Sequence, residues 1–90
     1  MEFTWDQIKA RRNEEKHGVS FAGATPVFAD DWASTVRDLE HSIDEWRYLT
    51  FGLPAAGRAV VVAHTDRDNS IRIISARLMT PSERRAYERK

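Results

Sequence analysis

One stretch of the chain interleaves β-branched residues with two arginines: Ser70-Ile71-Arg72-Ile73-Ile74-Ser75-Ala76-Arg77. The isoleucines predict a β-strand. A strand in the core of a small protein does not hold fixed cations unless something anionic meets them, because an unpaired buried charge is costly. The run therefore restricts the chain to folds in which an inner strand presents arginine to an anion, and phosphate is the anion best matched by the planar guanidinium group.

Length and composition set the class of protein. The 90 residues predict one domain, residues 1–90, that folds without crosslinks. The absence of cysteine excludes a disulfide scaffold and a thiolate metal site, and three scattered histidines form no metal motif, so we expect no metal and no cofactor. No apolar run reaches the roughly 18 residues of a membrane span, and Met1-Glu2-Phe3 does not resemble a signal peptide. We expect a soluble cytoplasmic protein without a membrane partner.

Charge is distributed unevenly along a chain whose net charge is zero. Residues 22–46 hold six acids against Arg37, whereas residues 58–90 hold eight bases against four acids. A basic region on a neutral protein indicates a local anion or nucleic-acid site. Solvated surface faces are the alternative explanation.

The first half of the chain predicts a short strand and two helices. The strand is expected around Phe3, and Thr4-Trp5-Asp6-Gln7 offers a capping box for a helix that runs to about residue 16. Gly18 is placed to end that helix in a left-handed cap. Ser20 can cap a second helix, which Pro26 should kink or end early.

The second half predicts four strands and a final helix. The strand candidates are residues 33–37, 46–53, 58–65 and 70–78, and their short connections favour an antiparallel meander. Thr80, Pro81 and Glu83 form a capping box that opens the last helix. The expected element order is β-α-α-β-β-β-β-α.

Pairing of the last two strands sets a condition on the arginines. A four-residue turn at 66–69 would pair Thr65 with Ser70, which places Arg58 opposite Arg77. Regular pleating then puts Arg72 and Arg77 on opposite faces of the sheet. They can share one site only if the strand is bulged, and the doubled isoleucine at 73–74 is the expected place.

Several short motifs together resemble the BrnT toxins of bacterial type II toxin-antitoxin modules. The resemblance spans essentially the whole chain, with Pro26 as a departure. The matching pieces are Phe3-x-Trp5-Asp6 with Lys9, Lys16-His17-Gly18-Val19-Ser20-Phe21, Val27-Phe28-x-Asp30, His41, Glu45-x-Arg47, Gly52, Gly57-Arg58, Arg72-Ile73-Ile74-Ser75-Ala76-Arg77 and Glu83-Arg84-x-x-Tyr87.

This resemblance implies a RelE-like α+β fold with a four- to five-stranded, mainly antiparallel sheet, two N-terminal helices and one C-terminal helix. It also implies a metal-independent endoribonuclease that inhibits translation and arrests growth. The implied partners are an RNA substrate and a BrnA-type DNA-binding antitoxin, held in a toxin-antitoxin hetero-oligomer. The alternatives are a non-catalytic RNA- or protein-binding module of the same fold and a structural partner protein.

RNA cleavage without a metal uses the neighbouring 2′-hydroxyl as nucleophile, so the protein must hold the phosphate, stabilise developing charge and move protons. The candidates for these catalytic tasks are Arg72, Arg77, His64, Glu45 and Tyr87. The candidates for contact with the RNA backbone are Arg47, Arg58, Lys9, Arg12, Lys16, Arg84 and Arg85.

Each of these groups also has a structural alternative. Arg47 or Arg58 could pair with Asp38 or Glu45, and a histidine on an inner strand is often a hydrogen-bonded structural residue. The basic face of the first helix could simply be solvated, although an acidic antitoxin segment could also bind there. The three tryptophans are expected mostly in the core, with Trp32 the best candidate for contact with a partner.

Overall fold

The computed structural model describes residues 1–54 and 57–89. Its elements follow the predicted order. They are β1 (Glu2–Thr4), α1 (Gln7–His17), α2 (Phe21–Ala24), a 3-10 turn (Thr25–Ala29), β2 (Ser34–Arg37), β3 (Tyr48–Gly52), β4 (Val60–Arg67), β5 (Ser70–Leu78) and α3 (Pro81–Glu88).

The five strands form one mixed sheet in the order β1-β5-β4-β3-β2. The strands β2 to β5 make the predicted antiparallel meander, and β1 pairs in parallel with β5. The α+β class and the mainly antiparallel sheet are therefore confirmed. Among the described residues, no helix combines the length and the apolar character needed to cross a membrane.

Local capping signals determine where the helices begin and end. The predicted capping box at Thr4 is wrong, because Thr4 belongs to β1 and pairs with Arg72. Asp6 caps α1 instead, its carboxylate accepting from the N–H groups of Ile8 at 2.9 Å and Lys9 at 3.0 Å. Gly18 ends α1 with a φ of 69°, as predicted.

The short second helix and the final helix follow their signals. The hydroxyl of Ser20 accepts from the N–H of Gly23 at 2.9 Å, and α2 ends at Ala24. The expected early end is confirmed, since Pro26 lies in the 3-10 turn that follows. At the start of α3, Thr80 and Glu83 form the predicted capping box.

The hairpin between β4 and β5 differs from its prediction. The turn has two residues, Asp68 and Asn69, and Arg67 pairs with Ser70. Asp68 adopts a φ of 45°, and aspartate tolerates this left-handed conformation. As a result β4 ends at Arg67, two residues later than expected, whereas β5 has the predicted bounds. The predicted pairing of Arg58 with Arg77 is wrong, because Arg77 lies opposite Val61.

The predicted bulge in β5 is confirmed. Ala63 pairs with Ser75 and His64 pairs with Ile73, so Ile74 is the extra residue of β5. Paired residues point to the same face, and the extra residue reverses the alternation beyond it. Arg72 and Arg77 consequently lie on the same face, which we call the open face.

The opposite face, here called the core face, carries the hydrophobic core. Its sheet residues Val60, Val62, Ile71, Ile73 and Ala76 pack with Val19, Phe21, Ala24 and Val27 from the helical segments. Phe3, Trp5, Ala10 and Phe28 extend this cluster at its margin. Hydrophobic burial on this face therefore sets the register of the inner strands.

The prediction of core packing is wrong for Trp46, whereas Trp32 is exposed, as a candidate for contact with a partner must be. Trp5 is half-buried and its ring meets Phe21 edge-on, with centroids 6.0 Å apart. Trp32 and Trp46 are 64% and 56% exposed. The guanidinium of Arg37 lies 3.8 Å from the ring centroid of Trp46, so this indole is used in a cation–π contact.

One buried side chain fastens α1 to the edge of the sheet. The amide of Asn13 donates to the carbonyls of Ala76 at 2.8 Å and Val19 at 3.0 Å, and its oxygen accepts from the N–H of Ala76 at 3.1 Å. Because β1 pairs only with residues 70–72 of β5, the edge of β5 at Ala76 has no strand beside it, and Asn13 bonds its N–H and C=O groups instead. The anchor places the basic side of α1 beside the bulge.

Candidate nucleic-acid interface

The open face gathers arginines from three parts of the chain. Arg72 and Arg77 lie on it because of the bulge. Side chains alternate between the two faces along β4, and Arg67 points to the same face as Val61 and Thr65, the partners of the two arginines. Arg47 immediately precedes Tyr48, whose partner His64 is on the core face, so alternation directs Arg47 to the open face as well. Such an arrangement can hold several phosphates.

Arg72 is exposed on this face, on the strand that lies next to the edge strand β1. No carboxylate lies within ion-pair distance of it in residues 1–54 and 57–89. The pKa of Asp6 is lowered mainly by the N–H of Lys9 and to a smaller extent by the charge of Arg72, which shows that this arginine lies near the start of α1. Its guanidinium is available to an anion.

Arg77 already has a carboxylate partner. Its Nη1 and Nη2 donate to the two oxygens of Glu83 at 2.8 and 3.0 Å, in a fork geometry. Hydrogen bonds from Arg77 are the main cause that lowers the pKa of Glu83 to about 2, with the N–H of Thr80 adding to the effect. A phosphate that approaches Arg77 therefore meets the charge of Glu83 too.

The basic side of α1 continues this surface. Lys9, Arg12 and Lys16 line a hollow of about 250 Å³ together with Ile74 and Ser75. Ser75 lies between Arg72 and Arg77 on the open face. The predicted helix residues and the predicted strand arginines therefore border one continuous basic surface.

His64 lies on the core face and is 2% exposed. Its Nδ1 is 2.7 Å from Asp66 Oδ1, and its Nε2 is 2.7 Å from the hydroxyl oxygen of Thr50, which is bonded to Thr35 at 2.8 Å. Both ring nitrogens are thus engaged on the face opposite the arginines. This geometry matches the structural alternative for His64 and separates it from the other catalytic candidates.

The buried imidazole predicts a pH dependence of stability. Burial is the main cause that lowers the pKa of His64 below 6.5, and the hydrogen bond to Asp66 opposes it. The unfolded chain binds this proton near pH 6.5 and the folded chain only at lower pH, so the free energy of unfolding should fall as the pH drops below about 6.5. It should level off once the pH is below the folded pKa.

Urea unfolding between about pH 7 and pH 5 measures this effect. His64→Gln should flatten the dependence, whereas the exposed His41→Gln should preserve it. The carboxylate of Glu83 stabilises the fold in a separate pH range, because its contribution to the free energy of unfolding is lost only below about pH 4.5. An unchanged pH dependence in His64→Gln would contradict the assignment.

Glu45 and Tyr87 have different surroundings. Glu45 is exposed and accepts from Arg67 at 2.8 Å, at the edge of the open face. The hydroxyl of Tyr87 donates to Asp30 at 2.5 Å, and burial, with the carboxylate adding to it, raises the pKa of Tyr87 to about 12. The phenol of Tyr87 therefore keeps its proton at neutral pH.

The remaining arginine candidates lie at the periphery. Arg58 donates to the carbonyl of Gly18 at 2.9 Å, where a cation stabilises the C-terminal end of α1. Its alternative pairing with Asp38 or Glu45 is wrong, because Glu45 bonds Arg67 and Asp38 bonds His41. Arg84 and Arg85 are exposed on α3, and Arg84 lies 3.7 Å from Glu88.

Three relevant residues were not among the predicted site residues. The sequence predicts Arg67 in a turn, whereas the two-residue turn at Asp68 and Asn69 leaves it on β4. The sequence predicts Glu83 as a helix cap, and its bond to Arg77 depends on how α3 folds back over the sheet. Asn13 carries no local signal, since its partner Ala76 is 63 residues away.

The described residues contain no group of three or more histidine, aspartate or glutamate side chains close enough together to hold a metal ion. The arrangement on the open face instead offers guanidinium groups, which bind anions without an intermediary. Fixed positive charge of this kind is chemically suited to phosphate.

The molecule is a small α+β protein with a mixed five-stranded sheet and several arginines on one sheet face. Its fold is similar to the crystal structure at 1.1 Å of the Brucella abortus ribonuclease toxin BrnT, with a TM-score of 0.71 and 22% identity over 89% of this chain and 97% of that chain. The sequence model of the family described as the ribonuclease toxin BrnT of type II toxin-antitoxin systems matches residues 5–83. The chain belongs to this family of ribonuclease toxins. No curated protein matches the sequence.

Proposed function

We propose that this protein is a metal-independent endoribonuclease of RelE-like fold that cleaves RNA in the cytoplasm and thereby inhibits translation. Membership of a ribonuclease toxin family supports the reaction class. The observation that carries the site is the bulge at Ile74, which brings Arg72 and Arg77 to one face. Their partners on β4 are Thr65 and Val61, so the two arginines stand about 13 Å apart along the strand.

This spacing suits an RNA strand better than a single shared ion. Arg72 is free of carboxylate partners in the described part of the chain, and this supports its proposed role as the ligand of the scissile phosphate. Its fork can bind two phosphate oxygens and stabilise the charge that develops on them during attack by the 2′-hydroxyl. Arg77 and Arg47 are the proposed ligands of other phosphates of the same RNA strand.

Glu45 is the proposed proton acceptor. It accepts a hydrogen bond from Arg67 at the edge of the open face, whereas His64 is buried on the other face and the hydroxyl of Tyr87 donates a hydrogen bond to Asp30. The exposed carboxylate can take the proton of the 2′-hydroxyl as the phosphate is attacked. Lys9, Arg12 and Lys16 extend the contact with the RNA backbone along α1, and Arg58, Arg84 and Arg85 add peripheral positive charge.

The proposed partner that neutralises the toxin is a BrnA-type antitoxin in a hetero-oligomer. Type II toxins are encoded with a protein antitoxin, and the family assignment supports that class of partner. The DNA-binding character of the antitoxin follows from the resemblance noted in the sequence.

A direct test incubates the purified chain with single-stranded RNA in EDTA and analyses the new ends. Attack by the 2′-hydroxyl should leave a 2′,3′-cyclic phosphate and a 5′-hydroxyl. Cleavage that requires added Mg²⁺ would contradict metal independence. RNA binding without any cleavage would instead support a non-catalytic binding module.

The alternative of a non-catalytic module is favoured by one observation. Two of the predicted proton-transfer groups, His64 and Tyr87, are engaged in internal hydrogen bonds. A surface that binds phosphate but lacks a proton acceptor would hold RNA without breaking it. Glu45→Gln separates the possibilities, because it should abolish cleavage by the enzyme without weakening RNA binding.

Glu83→Gln is expected to raise the affinity for RNA about threefold when binding is measured at modest salt concentration, because it removes a negative charge beside Arg77. Glutamine preserves the side-chain shape and the acceptor for the N–H of Thr80, so α3 should remain capped. Filter binding with a fixed single-stranded RNA measures the change. Glu14→Gln removes an exposed carboxylate from the side of α1 that faces away from the proposed RNA contacts, and it serves as the control. A weaker affinity in Glu83→Gln would show that Glu83 positions Arg77 for the substrate.

A further inference from the structure

The outer edge of β2 has no backbone partner in the described part of the chain. β2 is the last strand of the sheet and pairs with β3 on one side. In residues 1–54 and 57–89, no backbone hydrogen bond from another segment reaches it. Edge strands are normally protected by charged side chains, proline, a bulge or a covering segment, because their free N–H and C=O groups attract other strands. β2 is short and carries one charged residue, Arg37, whose guanidinium lies against the ring of Trp46. Its Thr35 and Val36 are exposed.

An apolar hollow lies beside this edge on the open face. Its volume is about 230 Å³, and it is lined by Ser34, Val36, Phe51, Glu83, Ala86 and Tyr87. Val36 is 48% exposed, and no residue of α3 is buried. A strand added to β2 would point alternate side chains toward the same face as Val36, so one of them could enter the hollow.

The charges around β2 identify the chemistry of the occupant. Residues 22–46 contain six carboxylates and Arg37 as their one lysine or arginine. Asp31 before the strand and Glu40 after it are both exposed. A second copy of this chain would bring the same acidic flanks together, which is unfavourable, whereas a segment with lysine or arginine would be attracted.

We propose that an extended basic segment of the antitoxin pairs with the free edge of β2 and inserts an apolar side chain beside Val36. Backbone hydrogen bonds to the edge would provide affinity, and the hollow and the acidic flanks would provide specificity. The proposal uses the family assignment for the existence of an antitoxin and is independent of the proposed catalytic residues.

The test measures binding of the antitoxin encoded beside this chain to three purified variants. Val36→Lys introduces positive charge into the hollow and should weaken binding about tenfold or more, whereas Val36→Thr preserves the β-branched shape and should bind nearly as well as the natural chain. Ile8→Lys is the matched control, since it also changes an exposed apolar residue to lysine but lies on α1, away from β2. Hydrogen exchange of the intact complex should show slower exchange for the amides of β2.

Several outcomes would overturn this assignment. They are undiminished binding by Val36→Lys, equal weakening by Ile8→Lys, unchanged exchange at β2, absence of any complex, or dimerisation of the chain alone through this edge. The RNA cleavage of Val36→Lys, measured without the antitoxin, should equal that of the natural chain. Because cleavage and antitoxin binding are separate measurements, failure of this proposal is distinguishable from failure of the proposed ribonuclease function.

Discussion

Replacement of Arg72 by alanine is expected to lower the rate of RNA cleavage about 100-fold or more. Loss of one preorganised donor to the developing charge of a transition state typically costs two to three orders of magnitude. Arg72 is exposed on the open face and has no carboxylate partner in the described part of the chain, so its charge is available to the phosphate. The measurement is single-turnover cleavage of a defined RNA by the folded variant.

The accompanying variants separate charge from geometry. Arg72→Lys should retain part of the activity, because lysine keeps the charge but cannot bind two phosphate oxygens with one planar fork. Arg11 is also exposed but lies on α1, and Arg11→Ala should leave cleavage unchanged. Full activity in a folded Arg72→Ala protein would refute the assignment of the phosphate site.

Replacement of Asn13 by alanine should lower the free energy of unfolding by about 3 kcal/mol. The substitution leaves two carbonyl groups and one N–H group without partners at a buried position: the carbonyls of Val19 and Ala76 and the N–H of Ala76. Each unsatisfied buried group costs about 1–3 kcal/mol, with water recovering part of the loss. Chemical unfolding followed by circular dichroism gives the difference in stability.

Two further substitutions isolate the hydrogen bonds of Asn13. Asn13→Asp keeps the acceptor for the N–H of Ala76 but sets a carboxylate against two carbonyl oxygens, so it should also destabilise the fold. Glu14→Ala changes the exposed neighbour and should alter stability by less than about 0.5 kcal/mol. A loss below about 1 kcal/mol in Asn13→Ala would contradict the role of this anchor.

Most of the fold could be predicted because its signals are local. The helix ends at Gly18 and Thr80 depend on backbone groups within a few residues, and the strands are marked by runs of β-branched residues. The bulge could be predicted at the doubled isoleucine because burial of one face penalises the wrong alternation. The cap of α1 was misplaced, since participation of Thr4 in β1 depends on a strand nearly 70 residues later.

The residue types of the candidate site could be predicted from the sequence, but the contacts between its arginines and carboxylates could not. Arg72 and Arg77 stand out because arginine is costly on an inner strand. Whether an arginine is free or engaged depends on side chains that approach from other elements. Glu83 reaches Arg77 only because α3 folds back, and His64 is buried because its strand alternation faces the helices.

The sequence by itself determined the element order, the α+β class, the family and the concentration of arginine on one strand, because each is encoded in local patterns or in contiguous motifs. Tertiary structure alone decided which cations remain available to RNA, how Asn13 closes the edge of β5 and why the edge of β2 stays open. These features depend on distances between groups far apart in the chain. Local propensity contains no information about those distances, whereas packing of the core face fixes them.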